Sequence, residues 1–347
     1  MQELKRANVG LINTPIEKLA NLTKYFGKGD IYIKRDDLTG LGMGGNKTRK
    51  LDYIMQYALD NNYSTLLTYG APQTNHGRLT IAAAAKYGLK AIVIVEGKAP
   101  ELLEGNLALD VMMDGEVVFV DTENLGPEEA KNKIQEVVDN IIYEHKQVND
   151  NVLEIPMGGS NVTGSFGYMQ CIKEIIDDTK WNDETIDYLV CAYGSMGTYA
   201  GLFLGAKYYK ADFVIVGVPV FPEPFDPHEC VKLANSLAQE LDIETRVSID
   251  DLIIVGGLHD NRFALPAYGV TTKEQREAMY LMAREEGIIL DPVYTGKMFY
   301  GFCELMNENY FSNANVMLLH TGGLPGLFTS KHITEITRDL RAKIKQF

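Results

Sequence analysis

Nothing in this 347-residue sequence approaches the ~20 consecutive apolar residues that a membrane-spanning helix requires. Positive charge is scarce: 33 Lys and Arg stand against 47 Asp and Glu, a formal net charge of -14. That balance excludes nucleic acid as the principal partner, because neutralising phosphates takes an excess of cations. Cysteine is scarce too. Cys171, Cys191, Cys230 and Cys303 are dispersed and form no C-x-x-C pair, which suits neither a zinc site nor a disulfide framework. They read as reduced, mostly buried thiols. The six histidines make no H-E-x-x-H and no close pair, so no catalytic metal is expected. Residues 1–6 lead into no apolar core of signal-peptide length, and a cytoplasmic protein is the expectation.

What is present reads as an ordinary globular composition, 46% apolar and 23% charged. The length exceeds what one core usually supports, so two domains are expected. Short β-rich runs alternate with amphipathic stretches: 65–69, 91–95, 116–120, 188–192, 213–218 and 316–320 each lie beside helical sequence. Pro127 suits the first turn of a long helix to about Lys146. Strands alternating with helices predict an α/β fold with mainly parallel sheets flanked by helices. A polar cluster at Asn149-Asp150-Asn151 marks a plausible break, and the run Ile31–Lys34 could pair with either sheet.

The chemistry concentrates in Gly40-Leu41-Gly42-Met43-Gly44-Gly45-Asn46-Lys47-Thr48-Arg49-Lys50. Gly40, Gly42 and Gly45 satisfy G-x-G-x-x-G, but Lys34-Arg35-Asp36-Asp37 precedes them in place of a buried strand, and the strand at 65–69 ends in Gly70 rather than an acid. A dinucleotide site is therefore disfavoured. Gly40 and Gly45 have the spacing of a nucleotide-binding loop, yet Asn46 stands where its lysine belongs. A solvated lysine is the plain alternative for Lys47. Its position at a helix start counts against that, since the helix dipole is positive there and two more cations follow. Either a bound anion compensates, or Lys47 is uncharged, as in an imine with a carbonyl cofactor.

Three further segments fit such a site. Thr74, Asn75 and His76 place a hydroxyl, an amide and an imidazole in a strand-to-helix loop, where Thr74 or Asn75 also suits an N-cap. Gly194-Ser195-Met196-Gly197-Thr198 follows a strand and opens a helix, the form of a phosphate cup. Near the C-terminus stand Asp291-Pro292-Val293-Tyr294-Thr295-Gly296-Lys297 and His320-Thr321-Gly322-Gly323, where Tyr294 could be a packing tyrosine and Thr295 and Thr321 could be caps.

Together, in this order and spacing, these segments closely resemble the D-cysteine desulfhydrase and 1-aminocyclopropane-1-carboxylate (ACC) deaminase family, over nearly the whole chain. Its members are pyridoxal-5'-phosphate enzymes of the tryptophan-synthase-β fold type. The resemblance implies a large cofactor-binding domain, residues 1–48 and 155–347, a small α/β domain, residues 49–154, a cleft between them, and a homodimer. It implies that Lys47 bonds the cofactor aldehyde and that Lys50 with Gly194, Ser195, Met196, Gly197 and Thr198 holds the phosphate. Asn75 would bond the phenolic oxygen, and a hydroxyl from Thr295 or Thr321 would meet the pyridine nitrogen. Asn46, Thr74, Asn75, His76, Tyr268 and Tyr294 would face a small amino-acid substrate, with Lys47, Thr74 and Tyr294 catalytic.

Two positions bear on subtype. ACC deaminases carry Glu after the tyrosine; here the residue is Thr295. A hydroxyl leaves the pyridine nitrogen largely neutral, which suits elimination of a good β-leaving group better than opening a cyclopropane. Thr74 stands where both branches usually carry Ser, and Pro72-Gln73 where they usually carry Ile-Gln. The expected reaction is D-cysteine to pyruvate, hydrogen sulfide and ammonia. ACC deamination to α-ketobutyrate, or elimination from L-cysteine, D-serine or a chloroalanine, are the alternatives.

Overall fold

The computed structural model describes residues 4–182, 184–222, 226–255, 262–264 and 266–346. Among these, ten strands form two sheets. The first contains β1 (Ile16–Lys18), β2 (Ile31–Lys34), β7 (Tyr188–Tyr193), β8 (Val214–Pro219), β9 (Ile253–Ile254) and β10 (Val316–Leu319), in the order β1-β2-β10-β7-β8-β9. The second contains β3 (Thr65–Gly70), β4 (Lys90–Glu96), β5 (Glu116–Val120) and β6 (Val152–Ile155), in the order β5-β4-β3-β6. Every pairing is parallel except β1 with β2.

Eleven α-helices connect them: α1 (Ala20–Phe26), α2 (Lys47–Asp60), α3 (Asn75–Tyr87), α4 (Gly105–Met112), α5 (Pro127–Gln147), α6 (Val162–Trp181), α7 (Gly197–Tyr209), α8 (Pro227–Glu240), α9 (Lys273–Glu286), α10 (Thr295–Asn307) and α11 (Ser330–Leu340). None is long and apolar enough to cross a membrane.

The unbroken apolar runs follow from covering both faces of a parallel sheet. Leu189, Ile215 and Met317 pack toward Tyr168, Ile172 and Leu202 of α6 and α7. Their neighbours Val190, Val216 and Leu318 point the other way, toward Met282 and Phe299 of α9 and α10. In the second sheet, Leu66 and Val93 meet α2 and α3 through Leu51 and Leu79, while Leu67 and Ile92 meet Val138 of α5. The period of two along each strand thus divides the side chains between two helical layers.

Ile31–Lys34 joins the six-stranded sheet, parallel to β10. The strand after Asn149-Asp150-Asn151 is β6, which pairs with β3, so the four-stranded sheet continues past that polar cluster. Pro127 opens α5, as its fixed φ favours, and Glu129 accepts the Gly126 N–H. All four cysteines are free and buried. Burial raises their thiols, Cys230 to about 12 and the other three further.

Candidate active site

A cavity of about 410 Å³ lies at the carboxyl ends of strands from both sheets, the edge where loops in parallel sheets present ligand-binding groups. Of the residues singled out in the sequence, Asn46, Lys47, Thr74, Asn75, His76, Ser195, Tyr268, Tyr294 and Thr321 line it. Six segments, distant in sequence, bring them together.

The glycine-rich segment is shaped by close approach. Gly44 and Gly45 take φ of 72° and 128°, and a Cβ on Gly322 would stand 2.7 Å from the Gly45 Cα. The Asn46 N–H donates to the Thr321 carbonyl at 3.0 Å and its side-chain amide to Thr198 Oγ1 at 3.1 Å. Lys47 is therefore delivered, as the first residue of α2, to a point pinned by the loops after β7 and β10. It is half-buried, and burial alone draws its amine down to about 8.

Lys50 lies one turn further and is fully buried, donating to the Gly158 carbonyl at 3.0 Å. Burial and then the neighbouring Lys47 push its amine well below the usual lysine range. His76 is buried beside them. Both its ring nitrogens lack a hydrogen-bond partner, and burial with the two lysines holds it neutral. Three basic groups thus share one wall with no carboxylate among the causes of their shifts. A bound anion would supply what is missing.

The anion's cradle is visible. A Cβ at Gly197, the first residue of α7, would stand 2.9 Å from Lys50 Nζ, so glycine is what lets that helix start reach the amine. Gly194–Thr198 faces a second glycine turn, Met157-Gly158-Gly159-Ser160, and the Ser160 hydroxyl donates to the Ser195 carbonyl. The sequence reading missed this second turn. Its signal is the same as that of the first: glycines between a strand and a helix, with Asn161 capping α6 through the Gly164 N–H.

Thr74 is the N-cap of α3, its hydroxyl accepting the Gly77 N–H at 3.2 Å. The side-chain oxygen of Asn75 accepts from Asn106 at 3.0 Å, which leaves its amide N–H groups for the cavity. Opposite, Phe221 stacks on Tyr268 with centroids 5.3 Å apart and stands edge-on to Tyr294. The sequence did not reveal Phe221. Lys297 donates to the carbonyls of Ala264 and Ala267, fixing the segment that carries Tyr268.

Two expectations change. Thr295 does not line the cavity: its hydroxyl donates to Asp291 Oδ1 at 2.7 Å and accepts the Asp291 N–H at 2.8 Å. Thr321, by contrast, lies in the lining. Arg49 faces away from the site, bonded to Asp36 and Glu174 at 2.7 Å each. Its charge is met inside the protein and calls for no ligand. The site therefore fits a phosphorylated aldehyde, with a neutralisable amine at one end and an anion cradle at the other. No group of His, Cys, Asp and Glu among the described residues could hold a metal ion.

The pattern of the family described as "Pyridoxal-phosphate dependent enzyme" matches residues 8–322. A protein of Pyrococcus abyssi named "Putative 1-aminocyclopropane-1-carboxylate deaminase" is 36% identical over 315 residues, covering 91% of this chain and 90% of that one. A D-cysteine desulfhydrase of Yersinia enterocolitica is 38% identical over 322 residues, covering 91% and 92%. The crystal structure of an ACC deaminase homologue superposes with a TM-score of 0.82 at 33% identity, covering 99% and 97%.

Proposed function

The chain belongs to the pyridoxal-phosphate-dependent enzymes, as a lyase of the ACC deaminase and D-cysteine desulfhydrase type, and from that premise we propose that it eliminates the β-substituent of a small amino acid, D-cysteine first. D-cysteine and water would give pyruvate, hydrogen sulfide and ammonia.

When bound, pyridoxal phosphate supplies a ring that takes up negative charge from the substrate α-carbon. Lys47 would hold its aldehyde carbon, Lys50 with the start of α7 its phosphate, Asn75 its phenolic oxygen and Thr321 its ring nitrogen. An amine at about 8 is a competent base near neutral pH. Once the substrate amine had taken its place at the aldehyde carbon, the freed Lys47 Nζ would take the α-proton, and the protonated phenol of Tyr294 would donate to the departing sulfur. Thr74 Oγ1 and the start of α3 would receive the substrate carboxylate, since a helix N-terminus favours an anion.

One observation carries the choice of D-cysteine over ACC. The wall formed by Tyr294 and Thr321 offers hydroxyls and no carboxylate; the acid in the cavity lining is Glu96, on β4. A ring nitrogen held by Thr321 would not be kept protonated, which would suit loss of a good leaving group better than opening a strained carbon ring. Residues 1–48 with 155–347 would form the cofactor-binding domain and 49–154 the smaller one, supported by the make-up of the two sheets.

The test is the absorbance spectrum of the purified protein as D-cysteine, L-cysteine and ACC are added in turn, with keto acids assayed alongside. Pyruvate from D-cysteine at the highest kcat/KM is the expected result. A higher kcat/KM for α-ketobutyrate from ACC would overturn the assignment.

A further inference from the structure

Which end of the Asn75 amide faces the cavity is decided two residues away from it. Arg78 is fully buried in α3 and, being a guanidinium, can only donate. Its Nε donates to the side-chain oxygen of Asn106 at 2.7 Å. That bond fixes the polarity of Asn106, which is itself fully buried at the start of α4. The Asn106 amide nitrogen must then point the other way. It donates to the Gln73 carbonyl at 2.8 Å and to Asn75 Oδ1 at 3.0 Å. The Asn106 backbone N–H donates to Gln73 Oε1 at 2.8 Å, so the residue cannot swing out. With its oxygen engaged by Asn106, and by Arg78 Nη2 at 3.5 Å, Asn75 has only its amide N–H groups to offer.

The same guanidinium holds the segment that precedes Lys47. Arg78 Nη1 donates to the Gly42 carbonyl, and Nη2 to the Gly44 carbonyl at 3.1 Å. No carboxylate lies within ion-pair distance of Arg78 among the described residues; its acceptors are neutral carbonyls and amides. Asp110, one turn beyond Asn106, is the nearby acid, but burial pushes its carboxyl up to about 7, and one of its buried oxygens has no partner. A buried cation with neutral acceptors is a costly way to fill a core position. An apolar residue of similar size could pack there but could not impose a donor direction on Asn106.

We propose that Arg78 and Asn106 are positioning residues that set the polarity of the Asn75 amide, so that Asn75 presents N–H rather than oxygen to the ligand beside Lys47. This rests on the reading that Asn75 meets the phenolic oxygen of the cofactor. An amide oxygen turned toward that oxygen would repel it. An N–H bonds it and favours its ionised form. One buried arginine thereby aligns both the amide and the lysine-bearing loop.

The experiment uses Asn106→Asp, which keeps the acceptor for Arg78 but replaces the donor to Asn75 with an acceptor. Asn75 must then rotate to donate to the new carboxylate and turn its own oxygen to the cavity. The readouts are the Kd for pyridoxal phosphate and the pH midpoint of the bound cofactor's visible absorbance. Asn106→Asp is expected to weaken binding at least tenfold and to move the midpoint by a unit or more. Asn75→Ala should move it too, and adding Asn106→Asp to Asn75→Ala should move it no further. Asn106→Leu, which removes both roles without adding charge, serves where Asn106→Asp does not fold, with the same expectations. A lower melting temperature with an unmoved midpoint overturns the proposal, as does an equal shift in the Asn75→Ala background. A midpoint untouched by Asn75→Ala itself instead rejects the placement of Asn75 on which the proposal stands.

Discussion

The hydroxyls of Tyr268 and Tyr294 lie 3.4 Å apart at the cavity wall. That is longer than an ordinary O–H···O bond, so neither proton is firmly committed to the other ring. Burial raises both phenols, and Tyr268 raises Tyr294 further, so both stay protonated at neutral pH. A protonated phenol inside a substrate cavity is a proton donor in waiting.

Tyr294→Phe is expected to lower kcat by about 100-fold, in the range of a lost general acid, while changing stability by less than about 1 kcal/mol. Tyr268→Phe keeps the stack on Phe221 and should cost far less. Steady-state pyruvate production and thermal unfolding of the two variants check this; equal losses in both would remove the special role of Tyr294.

Lys47→Met is expected to abolish turnover, and the cofactor-free protein adds a reading that activity cannot give. The amine titrates at about 8 in the folded chain against 10.5 as its ordinary value. A depressed lysine lends its stability above 10.5 and loses it as pH falls through about 8. At pH 7 the cofactor-free Lys47→Met protein should therefore be more stable than its parent by about 1–3 kcal/mol. The gain should shrink as pH is raised from 8 toward 10.5. Denaturant titrations across that range measure it.

Lys50→Gln removes the buried amine that faces the start of α7. The cofactor-free protein should bind inorganic phosphate at least ten times more weakly, and its preference for pyridoxal phosphate over pyridoxal should narrow. Calorimetry with all three compounds is the check. An unchanged preference would place the phosphate elsewhere.

Thr74 has two separable parts, a capping oxygen and a methyl group crowded against Gly70 and Gly77. Thr74→Ser keeps the cap, and stability should stay within about 0.5 kcal/mol. It should raise kcat/KM selectively for substrates with bulkier β-substituents. Thr74→Ala also loses the cap, costing about 1 kcal/mol.

Arg49→Leu tests the opposite kind of residue. Asp36 would be left buried without its ion-pair partner and Glu174 with Lys34 alone, so a loss of about 3 kcal/mol or more is expected. In the folded fraction, the cofactor's absorbance and the KM should be unchanged. A shifted spectrum would mean that the Arg49 network reaches the site.

β2, β3, β4, β5, β7, β8 and β10 were readable because a strand covered on both faces is largely apolar, as 316–319 is. β6 was not, since Val152-Leu153-Glu154-Ile155 alternates only briefly and follows a polar cluster. The lysine, the asparagine and the Gly194 loop were readable because backbone demands and local charge mark them. Arg49 misled for the same reason: it stands in the same run of cations as Lys47 and Lys50, and nothing local shows that Asp36 and Glu174 absorb it. Arg78, Asn106 and Phe221 act only through contacts made by folding, Arg78 with Asn106 across 28 positions. No spacing rule reaches them.

The placement of the four cysteines acquires a meaning from the proposed product. Polysulfides, the oxidised forms of hydrosulfide, are attacked by accessible thiolates, and hydrosulfide itself attacks thiols already oxidised to a sulfenic acid or a disulfide. Here each thiol is sealed in the core and held in its protonated form. An enzyme releasing sulfide from such a cavity leaves no handle on itself for persulfidation, so its turnover should not decay through self-inflicted sulfur chemistry.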